Sequence, residues 1–196
     1  MHEKPGVARG PVPVPFLYHA TRASNLGAIL AEGLRVRHHG AVHGGMDLSP
    51  PKPAIYLSRK PASDNLHAGL FTEPVVVLRI DTSGLDPDEM WPDDFIYGLW
   101  AEGEILSSAA AVAKAAGVSR PEGERILEGL EATEDAMLPL ALKPFWRWYL
   151  LHRKGGELAH TADIPPEAIL GVRHYGAAQE DPALLVLQGD DMEPLP

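Results

Sequence analysis

The 196-residue sequence contains no cysteine, which excludes disulfides, thiolate nucleophiles, iron–sulfur clusters and cysteine-ligated zinc. It has no run of about 18 apolar residues, the length a membrane-spanning helix needs. Its opening stretch, MHEKPGVARGPVPVP, lacks the apolar segment of a secretory signal. These absences lead to the expectation of a cytoplasmic protein working with oxygen, imidazole and carboxylate chemistry. No GxGxxG follows a strand pattern and no GxxxxGKS/T occurs, so Rossmann and P-loop phosphate binding have no support. Basic residues are also scarce, with 17 Lys and Arg against 27 Asp and Glu for a net charge of −10. That balance argues against a protein that coats duplex nucleic acid, because such binding draws on many cationic phosphate contacts.

What is present describes a chain able to bury a core. Hydrophobic residues make up 45% and charged residues 22%, with a mean hydropathy of −0.11, the composition of a globular protein of one domain or one domain with an insertion. The charge is unevenly placed. Residues 1–60 hold eight Lys or Arg against three acids, a balance of +5, and the remainder holds −15. Either an anion-binding face lies early in the chain or a solvated surface is unevenly charged.

Along the chain, residues 1–15 read as a flexible arm rich in Pro and Gly. Phe16–His19 carries a short strand signal, and Thr21–Ser24 opens an amphipathic helix in which Leu26, Ile29, Leu30 and Leu34 recur at helical spacing. The stretch 35–53 is dense in Gly, Pro and His and reads as a long loop. AIYLS (54–58) is the next strand, followed by a helix from Pro61 to about Gly69, and VVVLRI (75–80) is the strongest β signal. From about 85 to 152 the text turns acidic and helical, which reads as an insertion. β character returns after Gly155 and Gly156, PALLVLQ reads as a last strand, and residues 189–196 read as a loose tail. The order fits an α+β domain over 16–188 with a mainly antiparallel core.

Three short stretches at the expected strands carry chemistry: Tyr18-His19-Ala20-Thr21, Ala54-Ile55-Tyr56-Leu57-Ser58 and Gly156-Glu157-Leu158. If those strands are neighbours, an imidazole, an aromatic ring with a nearby hydroxyl and one carboxylate converge, a set suited to a cationic transition state. Each residue also has a structural reading. His19 as a satisfied strand histidine, Tyr56 as core between Ile55 and Leu57, and Glu157 as an exposed loop carboxylate are all common fates. His38, His39 and His43 lie in the glycine-rich loop without a regular ligand pair, so no metal site is expected. Phe145, Trp146, Trp148 and Tyr149 read as packing of the helical block before partner recognition.

FLYHATRASNLGAILAEGL resembles the opening of ADP-ribosyltransferases of the diphtheria-toxin and poly(ADP-ribose) polymerase type, where a strand ending in His-x-Thr runs into a helix. AIYLSRKPASDNLHAG is similar to the family's second motif and GELAHTADIPPEAI to its third, in family order. The resemblance implies a split antiparallel β core with flanking helices, and NAD as co-substrate without a metal. It assigns His19 to the adenosine ribose, the backbone of Ala20 to the nicotinamide carboxamide where the family commonly carries glycine, and Thr21 to bracing the motif. Tyr56 would stack on the nicotinamide ring, Ser58 would support the pocket, and His67 falls where the polymerase branch has a second tyrosine. Arg35 and Arg37 would meet the pyrophosphate. Glu157 would bind the nicotinamide ribose and stabilise the oxocarbenium-like state.

The leading expectation is therefore a mono-ADP-ribosyltransferase that cleaves the nicotinamide–ribose bond and modifies a macromolecular acceptor, protein before nucleic acid, with no membrane partner. Within the fold, an RNA 2′-phosphotransferase shares the His-x-Thr opening and the Pro-Pro turn, but its basic RNA-binding part and arginine-rich site are not evident. A relative acting on single-stranded DNA would use the basic first third as a groove. A non-catalytic module that reads NAD or ADP-ribose is the alternative from another class.

Overall fold

Val75, Val76, Val77, Leu78 and Ile80 are all buried, on both faces of the strand they form. This continuous burial explains why VVVLRI reads as an apolar run and not as an alternating one. The computed structural model describes residues 11–36, 53–61, 74–175 and 193–194. Their fold is α+β with antiparallel strand pairs. It divides into two units that alternate along the chain. Among the described residues no helix is long and apolar enough to cross a membrane.

The strand unit comprises Pro11–Val36, Ile55–Asp86 and the described residues from 162 onward. Strand β3 (Val75–Asp81) lies at its centre, flanked by β1 (Phe16–Arg22) in a register from Phe16 opposite Asp81 to Arg22 opposite Val75. On its other side β6 (Ile169–Tyr175) pairs from Val75–Tyr175 to Arg79–Gly171, then shifts register before Ile80–Ile169. Strand β2 (Ile55–Ser58) joins β1, with Tyr18 opposite Ser58.

Helix α1 (Leu26–Glu32) follows β1 through a single 3-10 turn over Ala23–Asn25, so the helix begins later than its amphipathic pattern implies. Gly33 ends it with a φ of +82°, and a Cβ there would collide with the Ile164 carbonyl. Glycine is required because Leu34 bonds both ways with Ile164, at 2.8 and 2.9 Å.

Two parts of the sequence reading differ from this unit. Val12, expected in the arm, is buried, and Thr82 holds the same segment by donating its hydroxyl to the Val14 carbonyl and its N–H to Pro15. In the tail, Glu193–Pro194 forms a short strand β7 against Gly171 and Val172. The expected helix beyond Pro61 and the whole of the expected strand PALLVLQ lie outside the described residues.

The helical unit spans Pro87–Thr161, with Pro53 and Ala54. It contains a strand pair that the sequence reading half missed: β4 (Met90–Pro92) runs antiparallel to β5 (Glu157–His160), with Met90 opposite His160, Trp91 opposite Ala159 and Pro92 opposite Leu158. Helices α2 (Phe95–Ala101), α3 (Ala109–Ala116), α4 (Arg120–Glu131), α5 (Leu138–Leu142) and α6 (Trp146–Leu151) make up the rest. Ser108 caps α3 by accepting the Ala111 N–H at 3.2 Å, and Gly117 closes it in the left-handed region. Gly123 lets α4 approach α3, since a Cβ would strike the Ala109 carbonyl and Ala113. The core gathers Met90, Ile96, Leu106, Leu142, Trp146, Tyr149, Leu150 and Leu158. The expected single helix KPFWRWYLLHRKG is shorter, because Lys143–Phe145 form a 3-10 turn and α6 stops at Leu151.

Candidate functional site

The first group of candidate residues lies in the strand unit. Along β1 the alternation of a strand sends Tyr18 and Ala20 to one face, where they pack against Val75 and Val77. Leu17, His19 and Thr21 therefore belong to the other face. His19 is partly buried, and its Nδ1 lies 2.8 Å from the Tyr56 carbonyl oxygen. Because a carbonyl only accepts, Nδ1 carries the proton in this bond and Nε2 is the acceptor nitrogen. Desolvation draws the His19 pKa below 6.5, and the bond to Tyr56 opposes the shift in part. The ring is thus neutral at neutral pH, with its tautomer fixed by the backbone of β2.

Thr21 is buried and its Oγ1 accepts from the Asn25 side chain at 3.2 Å, which ties the end of β1 to the turn that leads into α1. Tyr56 is half-exposed between the buried Ile55 and Leu57, so its ring lies on the opposite face of β2 from theirs. Ser58 is buried and donates its hydroxyl to the Lys60 carbonyl at 2.6 Å, which shapes the exit from β2. Ala20 sits in the middle of β1, opposite Val77.

Arg35 is held at the surface by Asp163, with a 2.9 Å ion pair and a 2.7 Å bond from the Val36 N–H to the same carboxylate. These contacts, the backbone bond first, lower the Asp163 pKa below 3.8. An anion that recruited Arg35 would have to compete with this pair. Arg37, His67, His38, His39 and His43 lie outside the described residues.

Glu157 belongs to the helical unit, where two glycines precede it for identifiable reasons. A Cβ at Gly155 would run into the Tyr149 carbonyl and ring, and Gly156 has a φ of +114°. The pair lets the chain pass close over α6 and enter β5 at Glu157. The β4–β5 ladder then continues one residue beyond Pro92–Leu158, since the Asp93 N–H points to the Glu157 carbonyl at 3.4 Å. Asp93 is only 7% exposed, and its Oδ1 accepts from the Asp94 N–H at 2.6 Å. Its carboxyl is also hydrogen-bonded to that of Glu157.

Burial, then the hydrogen bond and charge of Asp94 and those of Glu157, hold the Asp93 carboxyl well above the usual 3.8. Tyr149 packs beside this pair. Its hydroxyl is buried without a hydrogen-bond partner, and burial together with Asp93, Glu157 and Asp94 pushes its pKa above the ordinary tyrosine value. Sequence reasoning did not single out Asp93. Its only signal is an acid directly after the Trp91-Pro92 pair, just past a strand too short for alternation to show.

The structure thus brings His19 to the backbone of Tyr56, and Thr21 to Asn25 at the end of the turn before α1. It brings Glu157 to Asp93. Among the described residues, no group of three or more His, Cys, Asp or Glu side chains is arranged to hold a metal ion. No protein-family model matches the chain, and neither does any curated protein.

Proposed function

We propose that the chain is an NAD-dependent mono-ADP-ribosyltransferase of the diphtheria-toxin and poly(ADP-ribose) polymerase type. The observation that carries the reading is the 2.8 Å bond from His19 Nδ1 to the Tyr56 carbonyl. It joins the two motif blocks that the resemblance identifies independently. It also leaves a neutral imidazole whose Nε2 accepts, the chemistry required to take a ribose hydroxyl as donor. The bracing of Thr21 by Asn25 and of the β2 exit by Ser58 supports the same reading, because both motif residues then hold backbone in place around His19 and Tyr56.

In this reading His19 holds the adenosine ribose, the backbone of Ala20 the nicotinamide carboxamide, and the Tyr56 ring stacks on the nicotinamide. Glu157 acts in the bond-breaking step. The nicotinamide–ribose C–N bond breaks with its electron pair leaving on nicotinamide, and a positive charge develops on the ribose. A carboxylate fixed against that charge lowers the barrier. An acceptor nucleophile then attacks the anomeric carbon and releases its proton, forming the new ribose bond. Neither a metal nor a thiol takes part. The basic balance of residues 1–60 favours the pyrophosphate of a small dinucleotide, and the overall charge of −10 disfavours a long nucleic acid acceptor.

The test is nicotinamide release from NAD by the wild-type protein and by Glu157→Ala. Release by the wild type and its loss in the variant support the assignment. NAD binding by both with release by neither would leave a non-catalytic NAD-reading module. Labelled NAD incubated with cell lysate then shows whether protein, DNA or RNA becomes modified. Transfer of a 2′-phosphate from RNA to NAD, in place of ADP-ribosylation, would identify the phosphotransferase chemistry instead.

A further inference from the structure

We propose that Asp93 is a positioning residue for Glu157: at the end of β4 its buried carboxyl donates a hydrogen bond to the Glu157 carboxylate and fixes the direction in which that carboxylate points. The inference rests on the assignment of Glu157 to the cleavage step, and it adds a residue that no motif supplies.

The geometry is that of a cross-strand pair. Asp93 follows Pro92, Glu157 precedes Leu158, and Pro92 and Leu158 are partners, so the two acids stand opposite one another on neighbouring strands. Side chains in directly opposed positions are close neighbours, and like charges there repel. Asp93 is 7% exposed, so its charge would also be poorly solvated. Among the described residues, the titratable groups acting on it are Asp94 on its own segment, Glu157 on β5 and Tyr149 on α6, and none of them is cationic. Two carboxyls so placed share one proton.

The proton belongs to Asp93, the more buried of the two. Its Oδ1 is occupied by the Asp94 N–H at 2.6 Å, which leaves Oδ2 to carry the hydrogen toward Glu157. The half-exposed Glu157 keeps the negative charge. A carboxylate that receives one hydrogen bond from a buried donor loses rotational freedom, and an electrostatic stabiliser depends on that fixed direction.

Asp93→Asn tests the assignment because asparagine repeats the pattern: its carbonyl can accept from Asp94 and its amide can donate to Glu157, with no proton to lose. Asp93→Leu has comparable bulk and no donor. For the full-length chain, infrared difference spectra report the protonated carboxyl directly, without turnover. A protonated-carboxyl band at neutral pH that disappears in Asp93→Asn and shifts in Glu157→Gln is expected. Absence of that band overturns the proposal whatever the activity. If the band is present but the wild type releases no nicotinamide, the transferase reading fails while the carboxyl pair stands.

Where release is measured, kcat and KM across about pH 5 to 10 separate positioning from folding. In the wild type kcat should fall on the alkaline side as Asp93 ionises and repels Glu157. Asp93→Asn should keep kcat within about threefold at neutral pH and lack that alkaline decline, whereas Asp93→Leu should lower kcat about tenfold or more with KM nearly unchanged. A wild-type pH profile in Asp93→Asn, or full kcat in Asp93→Leu, overturns the positioning role.

Discussion

Desolvation pushes a titratable group of each unit, His19 in one and Asp93 in the other, toward its neutral form, and the two groups respond to pH in opposite directions. In the strand unit His19 is a neutral base, its pKa drawn below 6.5 by desolvation. In the helical unit the pKa of Asp93, the proton carrier of the proposed pair, is held well above 3.8 by burial and by its acidic neighbours. The unfolded chain takes up a proton at His19 before the folded chain does. The His19 contribution to stability is thus present above 6.5 and is lost as pH falls through the lower folded value. For Asp93 the sign reverses: the contribution is fully present below 3.8 and is lost as pH rises through the higher folded value. The contrast follows from the charge each group would carry on burial. Desolvation disfavours an imidazolium at His19 and outweighs the opposing bond to Tyr56, whereas at Asp93 it disfavours a carboxylate that also faces acidic neighbours.

With the proposed transferase function, the contrast becomes a division of labour, with NAD held by His19 and Tyr56 and the bond broken with Glu157. The largest expected effect is on turnover. If Glu157 is the proposed stabiliser of the developing cation, Glu157→Gln should lower nicotinamide release by about a hundredfold or more, measured as kcat under saturating NAD. Backbone requirements come next. Gly33→Ala combines a positive φ with a collision against the Ile164 carbonyl and should destabilise the chain by about 2 kcal/mol or more in denaturant melts. Gly155→Ala meets the Tyr149 carbonyl and ring, so it should lower both stability and nicotinamide release, since Glu157 follows two residues later.

Smaller effects distinguish the two groups further. His19→Ala removes one acceptor and should weaken NAD binding about tenfold by calorimetry, the scale of a single hydrogen bond. In the wild type the same loss should develop as pH falls below 6.5 and His19 takes up a proton at Nε2. The smallest is Ser108→Ala, which removes the α3 cap and should cost about 1 kcal/mol of stability while leaving NAD affinity and turnover unchanged.

Much of the strand unit was legible in the sequence because its signals are long or chemically distinctive. VVVLRI reads as a strand over six residues, and Gly33 announces the end of α1. His19 was legible as a candidate through its place in His-x-Thr, although nothing in the spacing foretold that its partner would be the backbone of Tyr56. The helical unit was legible only as a block. Its helices follow apolar periodicity, but β4 has three residues, too few for a period to register. Asp93 was invisible for a related reason: an aspartate is ordinarily exposed, and its burial opposite Glu157 depends on a pairing between residues far apart in sequence. The two glycines before Glu157 marked a special backbone, and the Tyr149 ring that requires one of them emerged only with the packing of α6.

The central claim is tested most directly by measuring NAD affinity and nicotinamide release side by side in His19→Ala and Glu157→Gln. The account predicts opposite patterns: Glu157→Gln binds NAD within about threefold of the wild type but loses release by about a hundredfold, whereas His19→Ala loses affinity about tenfold and recovers most of its release at saturating NAD. Equal release by the wild type and Glu157→Gln, or a wild type that binds no NAD, would contradict it.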